Sequence, residues 1–269
     1  MTNEEYHSDT SAISKSGTDK IESSPLDYWY HYLREKPADE LQNEPTKAML
    51  FGTALHTAVL EPHIFDKQYI VMPIINRRTN IGKAEYLALQ NIISINNQTA
   101  IPLEDMENIL KMREAIFKHP TAKLLFANGV AEQTFMFNEP NTGVMCKIRP
   151  DWLDSNNGLI VDLKTTTDAS KNGFSKHAYD FKYHKQDPFY LDGMEAIGQD
   201  KSGFVFVNIE KEPPFKIGIH YLDNRSRQLG RDTYLNNLET YSECLKTGIW
   251  KGYDEKISEV SLPEWVFKN

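Results

Sequence analysis

The segment LIVDLKTT at positions 159–166 places two charged residues inside what otherwise reads as a buried β-strand. Residues two apart on a strand point to the same face, so Asp162 and Lys164 lie side by side. Charged side chains are rarely buried unless they are paired or bind a metal. A fold that contains this segment must therefore have an interior strand with a polar site on one face.

The preceding strand carries a second carboxylate. The segment VMCKIRPDWL (144–153) reads as a strand, and the turn SNNG joins it to the buried one. If the two strands pair antiparallel, Asp151 lies near Asp162, and the two carboxylates repel unless a proton or a cation intervenes. A hard ion such as Mg²⁺, which prefers oxygen ligands and keeps bound water, removes that conflict. Pro150 has no N–H to donate, which indicates that the strand leaves regular pairing there.

The Asp-x-Lys triplet is a weak signal when it is taken alone. From 17 Asp and 22 Lys in 269 residues, about 1.4 such triplets are expected by chance, and the chain has three. The triplets at Asp180 and Asp254 lie in polar surroundings typical of solvated faces, whereas the one at Asp162 lies in an apolar strand. A strand-end ion pair is the simpler alternative for Asp162, and the neighbouring Asp151 makes a metal site the better interpretation.

The order of predicted elements indicates an α/β protein. Positions 1–128 form a mainly helical N-terminal part, in which apolar residues recur at helical spacing from Ala48 to Val59. Positions 129–269 hold a predicted mixed sheet with flanking helices, and we expect a single domain over 1–269. The predicted strands are 132–137, 144–153, 159–166, 203–209 and 215–222, and the later predicted helices are 84–95, 103–118, 169–181, 183–197 and 224–247.

Composition and charge exclude several classes of protein. The net charge of −8 argues against a chain that coats nucleic acid by bulk attraction, although a local basic groove is compatible with it. The two cysteines, Cys146 and Cys244, form neither a disulfide framework nor a zinc-binding pattern. The polar N-terminus is unlike a signal peptide, and no apolar run approaches the ~18 residues of a membrane span. These features predict a cytoplasmic protein without a membrane partner.

The Pro-Asp pair at 150–151 and the Asp-Leu-Lys triplet at 162–164 resemble the signature of PD-(D/E)xK nucleases, a restriction-endonuclease-like fold. Longer segments resemble the RecE-type exonucleases of this superfamily over almost the whole chain. The other motifs of that branch follow in the expected order: GTALH at 52–56, NRRTNIGK at 76–83, Glu132, QDPFY at 186–190 and SLPEW at 261–265.

The resemblance implies an exonuclease that degrades the 5′ strand of duplex DNA from an end. Such an enzyme depends on Mg²⁺ and leaves 3′ single-stranded tails for recombination by strand annealing; Mn²⁺ also suits a histidine ligand. The implied partners are double-stranded DNA ends and a RecT-type single-strand annealing protein. The implied assembly is a homotetrameric ring around duplex DNA, and the implied origin is a phage or prophage.

The resemblance also assigns a role to each motif residue. It implies that His56, Asp151, Asp162 and the main-chain carbonyl of Leu163 hold one or two metal ions. Lys164 then orients or deprotonates the metal-bound water and offsets charge on the pentavalent phosphate. The other residues implied to lie at the catalytic site are Glu132, Gln186 and Tyr190.

Structural alternatives exist for several of these residues. A lone histidine in an apolar helix, such as His56, is more often a core residue than a ligand. Glu132 reads equally well as an exposed acid at a strand end. Gln186 and Tyr190 share one helix face at i, i+4 and could line the edge of the core. For both Gln186 and Tyr190 we favour a role in contacting DNA phosphate or in positioning the catalytic lysine.

The loop PIINRRTNIGK (73–83) is the candidate DNA-binding segment. Arg77 and Arg78, with Lys83 nearby, lie among Asn and Thr residues, and all of these side chains donate to phosphate oxygens. Contact with the DNA backbone is therefore favoured over an ordinary solvated loop. Nothing in the chain resembles a helix that reads bases in the major groove, so we expect no sequence specificity.

Two other functions fit the same motifs. An endonuclease, or a RecB-type nuclease of different polarity, would share these residues and would differ in its products from linear and circular duplex DNA. A DNA-end-binding protein without catalysis would keep only the fold. The intact Asp151, Asp162 and Lys164 favour a nuclease over this last alternative.

Overall fold

The computed structural model describes residues 1–35, 37 and 45–267, and its centre is a five-stranded mixed sheet. The strands of this sheet are β4 (Gly129–Ala131), β7 (Trp152–Asp154), β8 (Leu159–Thr166), β9 (Gly203–Glu210) and β10 (Ile217–His220). They lie in the order β10-β9-β8-β7-β4, with β8 and β9 parallel and the other neighbours antiparallel. The predicted mixed sheet is therefore confirmed.

Two smaller sheets accompany the central one. The three-stranded sheet consists of β1 (Ile13–Ser14), β5 (Phe135–Asn138) and β6 (Met145–Ile148), with β6 in the middle. The two-stranded sheet consists of the parallel strands β2 (Tyr69–Met72) and β3 (Thr99–Pro102).

Helices flank the sheets, and many begin at a Ser, Thr or Asp whose side chain accepts a hydrogen bond from the first turn. A π-helical turn (Trp29–Leu33) and a 3₁₀ turn (Glu264–Val266) complete the regular structure. The described part of the chain holds no helix that is both long and apolar enough to cross a bilayer. The helices are α1 (Asn3–Ser8), α2 (Lys15–Ser23), α3 (Pro25–Tyr28), α4 (Lys47–Leu60), α5 (Pro62–Gln68), α6 (Asn80–Asn96), α7 (Leu103–Lys118), α8 (Pro120–Leu125), α9 (Lys171–Asp180), α10 (Tyr183–Ala196) and α11 (Asn224–Thr247).

Alternation along β8 assigns its side chains to two separate cores. Val161 and Leu163 pack in one core with α4, α7 and α8, whereas Ile160 packs in the other with α9, α10 and α11. Because side chains two apart share a face, Asp162 and Lys164 lie on the α10 side of the sheet. Helices cover both faces of this strand, and for that reason Asp162 is buried and Lys164 is half-buried.

The strands predicted at 132–137 and 144–153 are wrong in their extent. In the first region β4 ends at Ala131 and β5 begins in another sheet, because Glu132 adopts a φ of 53° and bends the chain. In the second region Pro150 and Asp151 separate β6 from β7, which also belong to different sheets. Proline supplies no N–H to a ladder, so regular pairing stops there.

The N-terminal part is less uniformly helical than predicted. It contains the parallel pair β2–β3, and its strand β1 joins the C-terminal half of the chain by pairing with β6. The buried Lys147 ammonium fastens this segment by donating to the main-chain carbonyls of Tyr6 and Asp9, each at 2.5 Å. Residues near the N-terminus therefore pack as part of the same structure as the sheet.

Helix α6 begins four residues before its predicted start. As a result Lys83 lies on its first turn rather than in a loop, whereas Arg77 and Arg78 lie in the preceding turn. This turn folds closely against the helix: a Cβ atom on Gly82 would lie 2.1 Å from the carbonyl oxygen of Asn76. Glycine is the residue that permits this approach of main chain to main chain.

Candidate active site

Asp151 and Asp162 face each other where β7 meets β8. The register pairs Trp152 with Val161, which sets the two aspartates opposite each other at the next position. Asp151 Oδ2 accepts a hydrogen bond of 2.8 Å from the main-chain N–H of Leu163. The structure thus brings together the two carboxylates that the strand pairing predicted to meet.

The Asp162 carboxylate is 1% exposed and has a partner at each oxygen. Gln186 Nε2 donates to Oδ1 at 2.5 Å, and Lys164 Nζ lies 2.7 Å from Oδ2. The lysine contact is an ion pair without good hydrogen-bond geometry, so Oδ2 is a buried oxygen that accepts no hydrogen bond. Burial raises the pKa of Asp162 to about 6; the Lys164 charge opposes this rise and the Asp151 charge adds to it.

Lys164 is oriented by charge and by an aromatic ring. Its ammonium lies 5.0 Å from the centre of the Tyr183 ring, which attracts the cation. Burial lowers the pKa of Lys164, but the carboxylates of Asp162 and Asp151 outweigh this effect and raise the pKa above its ordinary value. The ammonium is therefore held beside the carboxylate pair, where it can act on negative charge that develops next to it.

A group of three potential metal ligands lies next to this pair. Ligand atoms of His56, Glu132 and Asp151 lie within 4.8 Å of one another, and His56 Nδ1 is 3.5 Å from Asp151 Oδ2. His56 projects from α4, while Glu132 lies at the bend after β4, where its N–H donates to the carbonyl of Asp151 at 3.1 Å. Asp162, a predicted ligand, is not a member of this group. Glu132, predicted only as a site residue, takes part as a potential ligand.

Arg149 holds Glu132 in place, a role that no motif in the sequence predicted. Its Nε donates to Glu132 Oε2 at 2.7 Å, and its Nη1 donates to Thr134 Oγ1 and to the carbonyl of Met1, both at 2.9 Å. Burial raises the pKa of Glu132 to about 7; the Asp151 charge adds to this rise and Arg149 opposes it. An arginine directly before Pro-Asp was visible in the sequence, but nothing indicated its partner 17 residues away.

Two fully buried charged residues fix α10, and the sequence analysis gave neither a role. Lys185 Nζ contacts Asp19 Oδ1 at 2.5 Å and Glu22 Oε2 at 2.6 Å, which ties α10 to α2. Asp187 accepts two hydrogen bonds from the Arg227 guanidinium, at 2.7 and 3.1 Å, which tie α10 to α11. These contacts set the rotation of α10 about its axis, and with it the direction of the glutamine between them.

Gln186 and Tyr190 both reach the site from α10. The Gln186 amide contacts Asp162 rather than Lys164, so in this structure it positions the carboxylate instead of the lysine. Tyr190 is half-buried, lines the same cleft as His56, and has a pKa that burial raises well above its ordinary value. The i, i+4 spacing therefore brings both side chains to the site, as the motif predicted.

A cleft of about 780 Å³ opens beside these residues. It is lined by the potential ligands His56, Glu132 and Asp151, by Arg149, and by residues of α1, α4 and α5. Asp162 does not line it, because its carboxylate is buried behind Lys164 and Gln186. Helix α1, for which the sequence analysis proposed no role, thus forms part of the wall of the cleft.

The predicted DNA-binding residues lie outside this cleft lining. Arg77, Arg78 and Lys83 are all exposed, and the Arg77 guanidinium lies 4.8 Å from the centre of the Tyr86 ring. Exposed arginines at the start of a helix remain available to phosphate groups. Their contact with DNA stays a prediction.

The side chains at the site fit a divalent ion. One imidazole nitrogen and carboxylate oxygens lie within reach of one another, and this mixed set suits Mn²⁺ or Mg²⁺. The buried Asp162 Oδ2 already has a cationic partner, the Lys164 ammonium 2.7 Å away, so the metal-ligand role of Asp162 stays a prediction. Leu163 contributes its N–H to Asp151, and the role predicted for its carbonyl stays a prediction.

Comparisons with known proteins agree with this geometry. The family described as "PDDEXK-like domain of unknown function (DUF3799)" matches residues 30–262. The crystal structure of the "Putative exonuclease" from Eubacterium rectale superposes with a TM-score of 0.62 and 14% sequence identity, over 92% of this chain and 87% of that chain. At that identity the superposition shows a shared fold, which is the predicted PD-(D/E)xK core.

Two further comparisons add no argument about function. The crystal structure of SSO0001 aligns with 19% identity over 68% of this chain and 84% of that chain, but its TM-score of 0.28 is too low to use. No curated protein matches the chain significantly. The superfamily is shown by the family match over residues 30–262, whereas the finer RecE-type assignment rests on the motifs alone.

Proposed function

The chain belongs to the family of PDDEXK-like domains DUF3799, and from this membership and the site geometry we propose that it is a metal-dependent nuclease. The observation that carries the proposal is the meeting of Asp151, Asp162 and Lys164 on adjacent strands, beside the ligand group that includes His56 and Glu132. A bound divalent ion would polarise the scissile phosphate and lower the pKa of its bound water.

The residues of the site have different proposed roles. His56, Glu132 and Asp151 would hold the ion, with Asp162 and the Leu163 carbonyl as its further predicted ligands. The Lys164 ammonium orients the attacking water and stabilises the negative charge that develops on the phosphate. Two side chains act through these groups: Gln186 keeps the Asp162 carboxylate in place and Arg149 keeps Glu132 in place.

The finer proposal is an exodeoxyribonuclease that degrades the 5′ strand of duplex DNA and leaves 3′ tails. It is supported by the ordered motifs GTALH and QDPFY, whose His56, Gln186 and Tyr190 all reach the site. With it we propose the partners of the RecE-type family: a RecT-type annealing protein and three further copies in a ring. We also propose a cytoplasmic setting, which agrees with two buried free thiols, Cys146 and Cys244. A phage or prophage origin is proposed from the resemblance alone.

Digestion of linear duplex DNA labelled at either the 5′ or the 3′ end tests this proposal. With Mg²⁺ or Mn²⁺ we expect early release of the 5′ label as short product, while the 3′ label stays on a long single strand. Without a divalent ion, neither label should be released. Closed circular duplex of the same sequence is the matched control substrate, and it should remain intact.

Each other outcome excludes one part of the proposal. Early release of the 3′ label would reverse the polarity and favour a RecB-type enzyme. Cleavage of the circle would indicate an endonuclease. Tight binding to DNA ends without any product, at every divalent ion tested, would favour the non-catalytic end-binding protein.

A further inference from the structure

Helix α6 has apolar residues on two faces. The inner face carries Tyr86, Leu89 and Ile93, which are half-buried, and Gly82 is the one residue of the helix that is fully buried. A second face, which we name the outer stripe, consists of Ile81, Ala84, Ala88, Ile92 and Ile95. These five residues follow one another at intervals of three and four, so they form a continuous line along the helix.

The outer stripe is exposed along its whole length. Ile81 is 73% exposed and Ile95 is 82% exposed, and no described residue buries the positions between them. A surface helix ordinarily has one apolar face toward the core and a polar face toward water. A second apolar stripe on the water side is therefore unexplained by the fold of one chain.

The C-terminal segment 253–267, which we name the arm, has the same property. Every residue from 251 to 267 is exposed, and the one piece of regular structure there is the 3₁₀ turn. Exposed apolar groups in this number mark an interaction surface. The large apolar residues of the arm are Tyr253, Ile257, Val260, Leu262, Trp265, Val266 and Phe267.

The two surfaces carry opposite charge. The arm has a net charge of −3, from four acids (Asp254, Glu255, Glu259 and Glu264) and Lys256. The segment 77–96, which holds α6 and the turn before it, has a net charge of +2, from Arg77, Arg78 and Lys83 against Glu85. These basic residues lie at the N-terminal end of α6, where the helix dipole also favours negative charge.

We propose that the arm of one copy of this chain packs along the outer stripe of α6 in a second copy. The apolar residues of the arm cover the stripe, and its carboxylates lie toward the basic end of the helix. Because the two surfaces differ, the contact is heterologous, and its repetition closes a ring or extends a filament. The inference rests on the proposed assembly of several copies, for which it names the two surfaces that meet, and it is independent of the nuclease activity, since neither surface lines the cleft.

Light scattering on the full chain without DNA tests the contact. The wild-type chain at micromolar concentration should have the mass of a multimer. The arm variant Ile257→Asp/Trp265→Asp and the stripe variant Ile92→Glu/Ile95→Glu should both fall to the monomer mass. Leu124→Glu is the matched control, because it places a charge on an exposed leucine of α8 and should keep the multimer. Circular dichroism melts check that all variants are folded.

Mixing the two monomeric variants identifies which surfaces meet. The stripe variant keeps an intact arm and the arm variant keeps an intact stripe, so one productive contact remains between them. We expect a 1:1 complex with twice the monomer mass. A wild-type monomer, unchanged mass in either variant, or no complex in the mixture would each overturn the proposal. The last result would indicate that the arm docks on its own chain or on another protein.

Discussion

Two regions of this molecule invert the usual distribution of polar and apolar residues. Where β7 meets β8, the Asp162 carboxylate is buried and the Lys164 ammonium beside it is half-buried; on α6 and the arm, isoleucine and tryptophan side chains are exposed. At the first region Asp162 already has Lys164 and Gln186 within its own chain. At the second, no described residue covers the apolar groups. Where buried charged groups have partners within the chain, the chain itself forms the site. Where exposed apolar groups have no such partners, they mark a surface for another molecule.

Removing the Lys164 ammonium gives the largest expected effect, a loss of cleavage rate. Lys164→Ala should lower the cleavage rate by about 10²–10⁴-fold, because it removes the positive charge that offsets the negative charge developing on the phosphate. DNA affinity should change little, since the ammonium is held by Asp162 and acts on the reacting phosphate rather than along the duplex. Turnover on linear duplex and fluorescence anisotropy with labelled DNA measure the two quantities.

The matched control is Lys176→Ala, which removes an exposed lysine from α9. It should keep normal turnover. Near-normal turnover of a folded Lys164→Ala protein would show that the buried charges are a structural ion pair, and the contrast between the two regions would lose its functional meaning.

The sequence allowed the central pair to be predicted because strand geometry is regular. A period of two sets Asp162 beside Lys164, and a short turn sets Asp151 opposite, so neither step needs tertiary information. Glu132 and Arg149 could not be placed in this way. Their contact depends on a bend at a non-glycine residue with a φ of 53°, and on strands that part into two sheets.

The elements of the fold also divide into those that could be predicted from the sequence and those that could not. The helices 103–118, 183–197 and 224–247 were predicted to within one residue, because long periodic segments carry their own signal. The two-residue strand β1 has no period to detect. For α6, periodicity indicated a helix but not which of its faces lies against the chain, since that depends on the fold around it. The exposed stripe is therefore visible only in the structure.

Breaking a buried ion pair outside the reaction centre tests whether the opposite charge is what stabilises a buried carboxylate. Arg227→Ala should lower the free energy of unfolding by about 3–5 kcal/mol, because it leaves the fully buried Asp187 carboxylate without its cation. Asp187→Ala should cost less, since the Arg227 side chain is 21% exposed and can be solvated. Urea unfolding measures both, and Asp232→Ala, which removes an exposed hydrogen bond on α11, is the control.

The pH dependence of the Arg227→Ala variant sharpens this prediction. Burial raises the pKa of Asp187 and Arg227 opposes the rise, so removing the arginine raises the pKa further. A carboxyl group with a higher pKa in the folded than in the unfolded state binds more protons when folded. The free energy of unfolding of the variant should therefore increase relative to wild type as pH falls through the folded pKa. A constant difference would show that lost packing, rather than an unpaired charge, destabilises the variant.

A smaller effect is expected at Arg149, which acts through Glu132. Arg149→Ala should weaken Mn²⁺ binding by about 10–100-fold, because the ligand carboxylate loses the group that orients it. Arg149→Lys keeps the positive charge but lacks the planar, forked guanidinium that donates in several directions at once. It should therefore recover only part of the affinity. Calorimetric titration of the protein with Mn²⁺ in the absence of DNA measures this, with the exposed Arg225→Ala as the control. Equal affinity in all four proteins would remove Glu132 from the ligand set.

The smallest effect concerns the basic residues at the N-terminal end of α6. Contact with DNA and contact with the arm predict different results there. If Arg77 and Arg78 contact DNA phosphates, replacing both with alanine should reduce the slope of log affinity against log salt by about 0.9 per lost contact. If they face the carboxylates of the arm instead, the slope stays constant and the multimer mass falls as protein is diluted. Lys111→Ala/Lys118→Ala, which removes two exposed lysines from α7, should change neither quantity. A change in both would mean that assembly and DNA binding share this end of the helix.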